Sequence, residues 1–296
     1  MKLLLTGCSG QVGAELIFKL SALGDVVATN REQLDLSNPN EIRIFLDQVK
    51  PDIIINTAAF TDVDNAEAED HLSYQINKIA PQVFAEKANQ LNIPLVHFST
   101  DYVFDGLKAE AYSESDIANP LSIYGKSKYE GEKEVRLHPK HIILRTSWVF
   151  SRHGKNFLKS IFNLIQNKKS LSVVSDQIGA PTSASMLSDV TFKIVSLILK
   201  DKNFAGFGTY HVACDGEASW YSYACFISRE AIKLGVKVEC TPAQIQPISS
   251  VDYSSIARRP LNSRLNCKKL KKTFMLELPR WEDEVKKVLR EIIQIK

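Results

Sequence analysis

A glycine-spaced turn near the N-terminus constrains this chain more than any other stretch. Gly7-Cys8-Ser9-Gly10-Gln11-Val12-Gly13 follows the apolar run Leu3-Leu4-Leu5, and its Val12 opens a series with Leu16, Ile17, Leu20 and Leu23 at helical spacing. A buried strand, a tight turn and an amphipathic helix in that order predict the opening βα unit of a doubly wound parallel sheet. Glycine at 7, 10 and 13 lets the backbone bend sharply and come close to a ligand. The helix N-terminus behind the turn offers unpaired N–H groups to a pyrophosphate. The spacing is one residue longer than the usual dinucleotide fingerprint, and a tight turn without a ligand is the alternative reading. Its position between the first strand and the first helix favours nucleotide binding.

The rest of the chain repeats the unit. Asp25–Thr29 reads as a second strand, and Asn38-Pro39-Asn40-Glu41 supplies a helix cap, a proline in the first turn and an acid three residues on. The β-branched run Ile53-Ile54-Ile55 predicts a buried central strand. It empties into Asn56-Thr57-Ala58-Ala59-Phe60-Thr61, a loop that puts Ala58 and its small neighbours where a strand end meets a ligand crevice. A helix spans about 72–89, with Pro81 marking a break or second start. Leu95–Phe98 is the next strand, ending in Ser99-Thr100-Asp101-Tyr102. Tyr124 begins another helix, and His141–Val149 gives a further strand. Residues 1–150 are thus expected to form a dinucleotide-binding domain. Residues 151–296, where the alternation loosens, are expected to form mainly a smaller, discontinuous substrate-binding lobe, with segments including the terminal helix packing back on the first domain.

Composition excludes several functions. A formal charge of +3 on 37 basic and 34 acidic residues gives no case for a nucleic-acid or membrane partner. No apolar run reaches membrane-spanning length, and three leucines after Met1-Lys2 are too few for a signal peptide. Five scattered cysteines without a Cys-x-x-Cys suit a reducing cytoplasm. The six histidines show no metal-ligand spacing, so no catalytic metal is expected. The basic run 268–272 reads as a solvated helix face.

Acid–base chemistry is expected at Tyr124-Gly125-Lys126-Ser127-Lys128. One helical turn puts Tyr124 and Lys128 on a common face, and an ammonium beside a phenol stabilises the phenolate and lowers its pKa. Nine tyrosines give about one Tyr-x-x-x-Lys by chance, and this chain has three, with Tyr74/Lys78 and Tyr129/Lys133. Topology selects among them. Tyr74 precedes the Ser99-Thr100 strand end, and Tyr129 points about 140° away from Tyr124 on the same helix. Only Tyr124 follows the strand that presents Thr100, with Gly125 and Ser127 small enough for close approach.

These stretches, with Asp35–Pro39, Val63-Asp64, Arg145–Val149, Asp176–Thr182 and Arg259–Leu265, resemble the extended short-chain dehydrogenase/reductase family over nearly the whole chain. The resemblance implies a Thr100/Tyr124/Lys128 catalytic set, with Lys128 also holding the nicotinamide ribose. It implies that Gly10, Gln11, Val12, Asn30, Asp35, Leu36, Ala59, Phe60, Thr61 and Phe98 line the dinucleotide, and that Thr100, Asp101, Tyr102 and Trp148 face a nucleotide sugar. The implied reaction is hydride transfer to the C4 ketone of a 6-deoxy-4-ketohexose, with Tyr124 protonating the oxyanion and Thr100 hydrogen-bonding it. Dehydratases of the same superfamily carry Glu where this chain has Tyr102, so ketone reduction is expected rather than dehydration. A strand-end aromatic packed on the sheet is an equally good reading of Tyr102.

Strand two ends Thr29-Asn30-Arg31, with no acid to repel a ribose 2′-phosphate and an Arg31 able to pair with one. NADPH is therefore expected, with NADH also accepted; an exposed, unpartnered Arg31 is the alternative. His97, mid-strand among apolar neighbours, reads as a satisfied core histidine. Arg258, Arg259 and Arg264 suit either a substrate diphosphate or structural ion pairs, and Asn77 either orients Lys128 through water or makes ordinary helix contacts. Some relatives form homodimers bridged by magnesium on glutamates. Glu15 and Glu291 match that pattern, but Ser185 stands where the third glutamate would be, which speaks against a metal bridge. Two rival readings are a reductase or epimerase of the superfamily acting on a different nucleotide sugar, and a regulatory subunit of the same fold that binds NADP without turnover; the intact Thr/Tyr/Lys set argues against the second.

Overall fold

A computed structural model describes residues 1–294. The first half runs β1 (Lys2–Thr6), α1 (Gln11–Leu20), β2 (Asp25–Thr29), α2 (Pro39–Val49), β3 (Ile53–Asn56), α3 (Asp70–Tyr74), α4 (Ala80–Leu91), β4 (Leu95–Thr100), α5 (Ile123–Arg136) and β5 (His141–Thr146). The second half adds β6 (Val149–Phe150), α6 (Phe157–Asn167), β7 (Leu171–Val174), β8 (Ile178–Gly179), β9 (Thr182–Ser183), α7 (Ala184–Lys200) and β10 (Gly208–His211). It closes with β11 (Ala218–Ser219), α8 (Trp220–Lys233), β12 (Ile245–Ile248), α9 (Lys268–Phe274) and α10 (Trp281–Gln294).

Six strands form one parallel sheet in the order β10-β5-β4-β3-β1-β2. The order in which successive strands are added reverses between β1 and β3, so their carboxyl ends open the crevice where doubly wound sheets bind ligands. Alternation along each strand divides the core. Leu4, Ile54, Leu95 and Ile143 face a layer containing Leu46, Val83, Phe84 and Val135 of α2, α4 and α5. Leu3, Leu5, Ile55, Val96, Phe98 and Leu144 face the other way, onto α1, α6, α7 and α8.

Two elements from beyond residue 150 belong to this large sheet. β10 pairs with β5, and α7 lies along α1. The remaining second-half elements make a lobe of three short strand pairs, β7 with β12, β8 with β11 and β6 with β9. α10 lies against α8 and β9. The expected strand 141–149 is two strands, because Trp148 takes a left-handed backbone (φ +48°) and turns the chain. Pro81 stands in the first turn of α4, where its missing N–H costs no helical bond, so it marks a second helix start as expected. Residues 75–79 form a π-helical segment that joins α3 to α4. Among the described residues no helix is long and apolar enough to cross a membrane, and all five cysteines are free.

Candidate active site

The glycine turn is built as its spacing requires. Gly7 sits at φ +74°, and a Cβ on Gly13 would lie 2.2 Å from the Gly7 carbonyl oxygen. Gly10 caps α1 without any side-chain hydrogen bond, so among the described residues no side chain caps the first-turn amides. In front of them opens a cleft of about 540 Å³. Its lining includes Gly7, Gly10, Gln11, Val12, Asn30, Arg31, Asp35, Leu36, Ala58, Ala59, Thr61, Phe98, Tyr124 and Lys128. An uncapped helix end, two crowded glycines and an elongated cleft across the strand ends fit a dinucleotide. Gly13 lies beneath the turn rather than on the cleft wall. Phe60 is also absent from the lining, its backbone N–H and C=O both held by the Asn77 side chain at 2.9 and 3.0 Å.

Gly13→Ala is expected to push Gly7 and Cys8 aside. Dinucleotide affinity should fall by at least tenfold and stability by about 1–3 kcal/mol, the usual cost of overpacking. Titration calorimetry beside a thermal melt measures both.

Several residues on the cleft are anchored. Asn30 Oδ1 accepts the Glu32 and Gln33 N–H groups, and Asp35 accepts Ser37 N–H and Oγ, which, with the nearby Arg31 charge, hold its carboxyl below the usual range against a smaller opposing effect of burial. The Gln11 side chain is committed to the second half of the chain. Its Oε1 accepts Ser151 Oγ (3.1 Å) and Asn156 Nδ2 (2.9 Å), which leaves its backbone for a ligand. Thr146 and Val149, from the stretch 145–149, also line the cleft, as do Gly154 and Lys155, which no motif in the sequence marked.

At the far end of the cleft, α5 carries Tyr124 and Lys128. Ser122 caps it, accepting the Gly125 N–H at 3.2 Å, a contribution of about 1 kcal/mol. Gly125 lets the helix approach β4, since a Cβ there would lie 2.2 Å from the Tyr102 carbonyl oxygen. Tyr124, Lys128 and Thr100 are all buried, and the Thr100 hydroxyl is hydrogen-bonded to the phenol. The expected lowering of the Tyr124 pKa is reversed. Burial pushes the phenol up to about 12; the Thr100 bond opposes this and the Asp101 charge adds to it. Lys128 does not offset burial because its Nζ donates to the Phe98 carbonyl (2.6 Å) and lies 3.4 Å from His97 Nε2. Burial in turn pushes Lys128 down to about 8, against a smaller upward effect of Glu132.

The residues expected to face substrate cluster at the β4 end. The buried Asp101 accepts the Thr100 hydroxyl at 3.0 Å, and burial raises its carboxyl to about 6 despite hydrogen bonds from Ser263 and Thr100. Tyr102 packs edge-on against Tyr124 with centroids 5.5 Å apart. Trp148 stacks on Trp220 at 3.5 Å and 9°, with Gly179 against its edge. The stretch 259–265 returns here from far along the chain. Arg259 pairs with Asp64 (2.6 Å) and reaches Tyr102, while Arg264 pairs with Glu217 (2.9 Å), so both arginines form ion pairs within the chain. Arg258 is exposed.

The other candidates separate cleanly. Tyr129 packs beside Phe104 and Tyr112, under the Lys133 ammonium, and Tyr74 lies on α3 outside the cleft lining. Asn77 binds Phe60 and the Ser127 hydroxyl (3.0 Å) and ties the β3 loop to α5; no direct bond joins it to Lys128. Ser185 receives Lys287 on its hydroxyl and Lys19 on its carbonyl, two cations where a bridging metal would need a carboxylate. Among the described residues no cluster of His, Cys, Asp or Glu is arranged to hold a metal.

Comparison with known proteins agrees with this geometry. The family described as RmlD substrate binding domain matches residues 1–294. The dTDP-4-dehydrorhamnose reductase of Salmonella typhimurium is 39% identical over 297 residues, covering 99% of this chain and 98% of that protein. The chain belongs to the dTDP-4-dehydrorhamnose reductase (RmlD) family. It is an NAD(P)H-dependent oxidoreductase with that family's fold. The crystal structure of the family's Clostridium acetobutylicum protein matches with a TM-score of 0.89 at 35% identity, covering 99% of this chain and all of that one. A Bacillus anthracis member solved in complex with NADP matches with a TM-score of 0.87 at 34% identity, covering 98% of this chain and 99% of that one.

Proposed function

We propose that this chain reduces the C4 ketone of dTDP-4-dehydro-6-deoxy-L-mannose to give dTDP-L-rhamnose, with NADPH preferred and NADH also accepted. The observation that carries the reading is a buried phenol, Tyr124, hydrogen-bonded to Thr100 at the end of a dinucleotide-shaped cleft. The relatives' shared activity supports the choice of sugar nucleotide.

Gly7, Gly10, Val12 and the α1 N-terminus would hold the pyrophosphate, Arg31 a ribose 2′-phosphate, and Lys128 the nicotinamide ribose. Bound there, the dinucleotide supplies the hydride. Tyr124 delivers the proton to the C4 oxygen as negative charge develops on it. A phenol raised to about 12 is fully protonated at neutral pH, which is the state an acid in the reductive direction needs. Thr100 would hydrogen-bond the same oxygen by turning its one hydroxyl proton to it from Asp101, which accepts that proton in the unliganded protein. Tyr102, raised by burial and by Asp101, cannot serve as a base for C5 deprotonation, so the site reduces rather than dehydrates.

NADPH oxidation followed by absorbance, with the 4-keto-6-deoxy sugar nucleotide generated in situ, tests the proposal. Turnover to dTDP-L-rhamnose is the expected result. Tight NADPH binding without oxidation would favour a non-catalytic subunit. Arg31→Ala should reduce the preference for NADPH over NADH by about 10–100-fold, the worth of about 1.5–3 kcal/mol for a charged hydrogen bond; an unchanged ratio of kcat/KM values would assign the preference elsewhere.

A further inference from the structure

His97 is completely buried in the middle of β4, yet it is not an isolated core histidine. Thr6, Asn56 and His97 are register partners across β1, β3 and β4 and form a polar row along one sheet face. Thr6 Oγ1 donates to Asn56 Oδ1 at 2.7 Å, and Asn56 Nδ2 lies 3.1 Å from His97 Nδ1. His97 Nε2 then faces Lys128 Nζ at 3.4 Å.

The orientation of this row follows from one backbone group. The Ala58 N–H points at Asn56 Oδ1 (3.2 Å) and can only donate, so that atom must be the amide oxygen. The nitrogen of the Asn56 amide therefore faces His97 and must donate to Nδ1. An Nδ1 that accepts carries no proton, which excludes imidazolium and places the proton of the neutral ring on Nε2. That proton points at the lysine nitrogen. An ammonium has no lone pair to receive it, whereas an amine has one and still keeps a hydrogen for the Phe98 carbonyl at 2.6 Å.

We infer that His97 is a positioning residue whose tautomer, locked by Asn56, latches Lys128 to β4 as a neutral amine and releases it when it takes up a proton. Protonation turns the Nε2–H contact from a hydrogen bond into a meeting of two donors, while the ring itself stays unchanged. The freed ammonium is then available on the Tyr124 side of the helix.

The other groups around Lys128 do not provide this selectivity. Tyr124 and Glu132 flank it on its own helix, and Glu132 favours the ammonium. That carboxylate is shared with Arg145 of β5 (2.7 Å) and with Arg136 (2.6 Å). Asp101 lies beyond the β4 end, and Ser127 and Asn77 are neutral. Burial and the Lys128 charge both hold the His97 ring well below the usual histidine range, in agreement with a neutral ring.

The inference concerns the unliganded protein and does not depend on which sugar is reduced. The test is nitrogen NMR on protein labelled with ¹⁵N at histidine and at lysine Nζ. His97 is identified among the six histidines by its loss in His97→Phe. In the wild type, His97 should remain neutral with its proton on Nε2 across the range where Lys128 titrates. A proton on Nδ1, or a charged ring, overturns the inference without any variant having to fold.

Asn56→Asp keeps the acceptor for Thr6 and Ala58 and reverses only the bond to His97. It should move the ring proton to Nδ1 and raise the Lys128 midpoint by at least one pH unit, a tenfold change in the amine-to-ammonium ratio. The Asn56→Asp, His97→Phe double variant separates the ring from the bare carboxylate. A Lys128 midpoint that moves as far from His97→Phe to the double variant as from wild type to Asn56→Asp, or that stays put while the tautomer flips, also overturns it.

Discussion

Tyr124→Phe should lower kcat for sugar reduction by about 10²–10⁴-fold, the range for loss of a positioned general acid. The ring remains, so its packing against Tyr102 is retained. Only the hydroxyl and its bond to Thr100 are lost. Binding of NADPH, measured directly, should change by no more than a few-fold, because the first-turn amides of α1 lie at the other end of the cleft. A pre-steady-state measurement should place the defect in the chemical step. If turnover persists at the wild-type rate, the proton comes from elsewhere; the buried Asp101, raised to about 6, would be the next group to examine.

Arg145→Met should be the most damaging single substitution for stability, at about 3–5 kcal/mol. Arg145 bonds Glu132 through Nε (2.8 Å) and Nη2 (2.7 Å), both residues being almost wholly buried. Removing the arginine leaves a carboxylate in the core with only the half-exposed Arg136 beside it, so the loss should fall toward the lower figure. Replacing both partners together, Glu132→Leu with Arg145→Met, should recover most of it, because no buried charge is then left unpaired. Chemical denaturation of the three variants measures the cycle.

The same pair predicts an acid limb. Burial pushes the Glu132 carboxyl up, but the Arg145 hydrogen bonds and the charges of Arg145 and Arg136 outweigh it and hold the group below its ordinary value. With the folded pKa below the unfolded one, the contribution is complete above about pH 4.5 and is lost as pH falls through the folded pKa. Denaturation midpoints of wild type and the double-apolar variant should therefore diverge above that pH and converge in stronger acid.

How much of this was legible beforehand depended on the range of the interaction involved. The 7–13 turn and the Asn38 cap were readable, since each depends on residues within one or two turns. The sheet class followed from continuous apolar strand runs alternating with stretches of helical spacing. The state of the acid–base pair did not. Helical spacing puts Lys128 beside Tyr124, but it cannot report that the lysine's reach ends on β4 or that burial outweighs its charge. The contributions of Gly154, Lys155, Ser263 and Trp220 were hidden for a related reason, as each arrives from well beyond the C-terminal end of the helix that bears the phenol.

By itself the amino-acid order determined a βα chain with a glycine turn at its first strand end and a Tyr/Lys pair one helical turn apart. Those are short-range facts of spacing, sterics and capping. Only the packed structure decided that Lys128 is held against His97 and the Phe98 carbonyl, that Gln11 joins the two halves of the chain, and that burial keeps the Tyr124 phenol protonated. The physical reason is that protonation states follow from desolvation and from which donors face which acceptors. Both are fixed by strand register and helix docking between residues far apart in sequence.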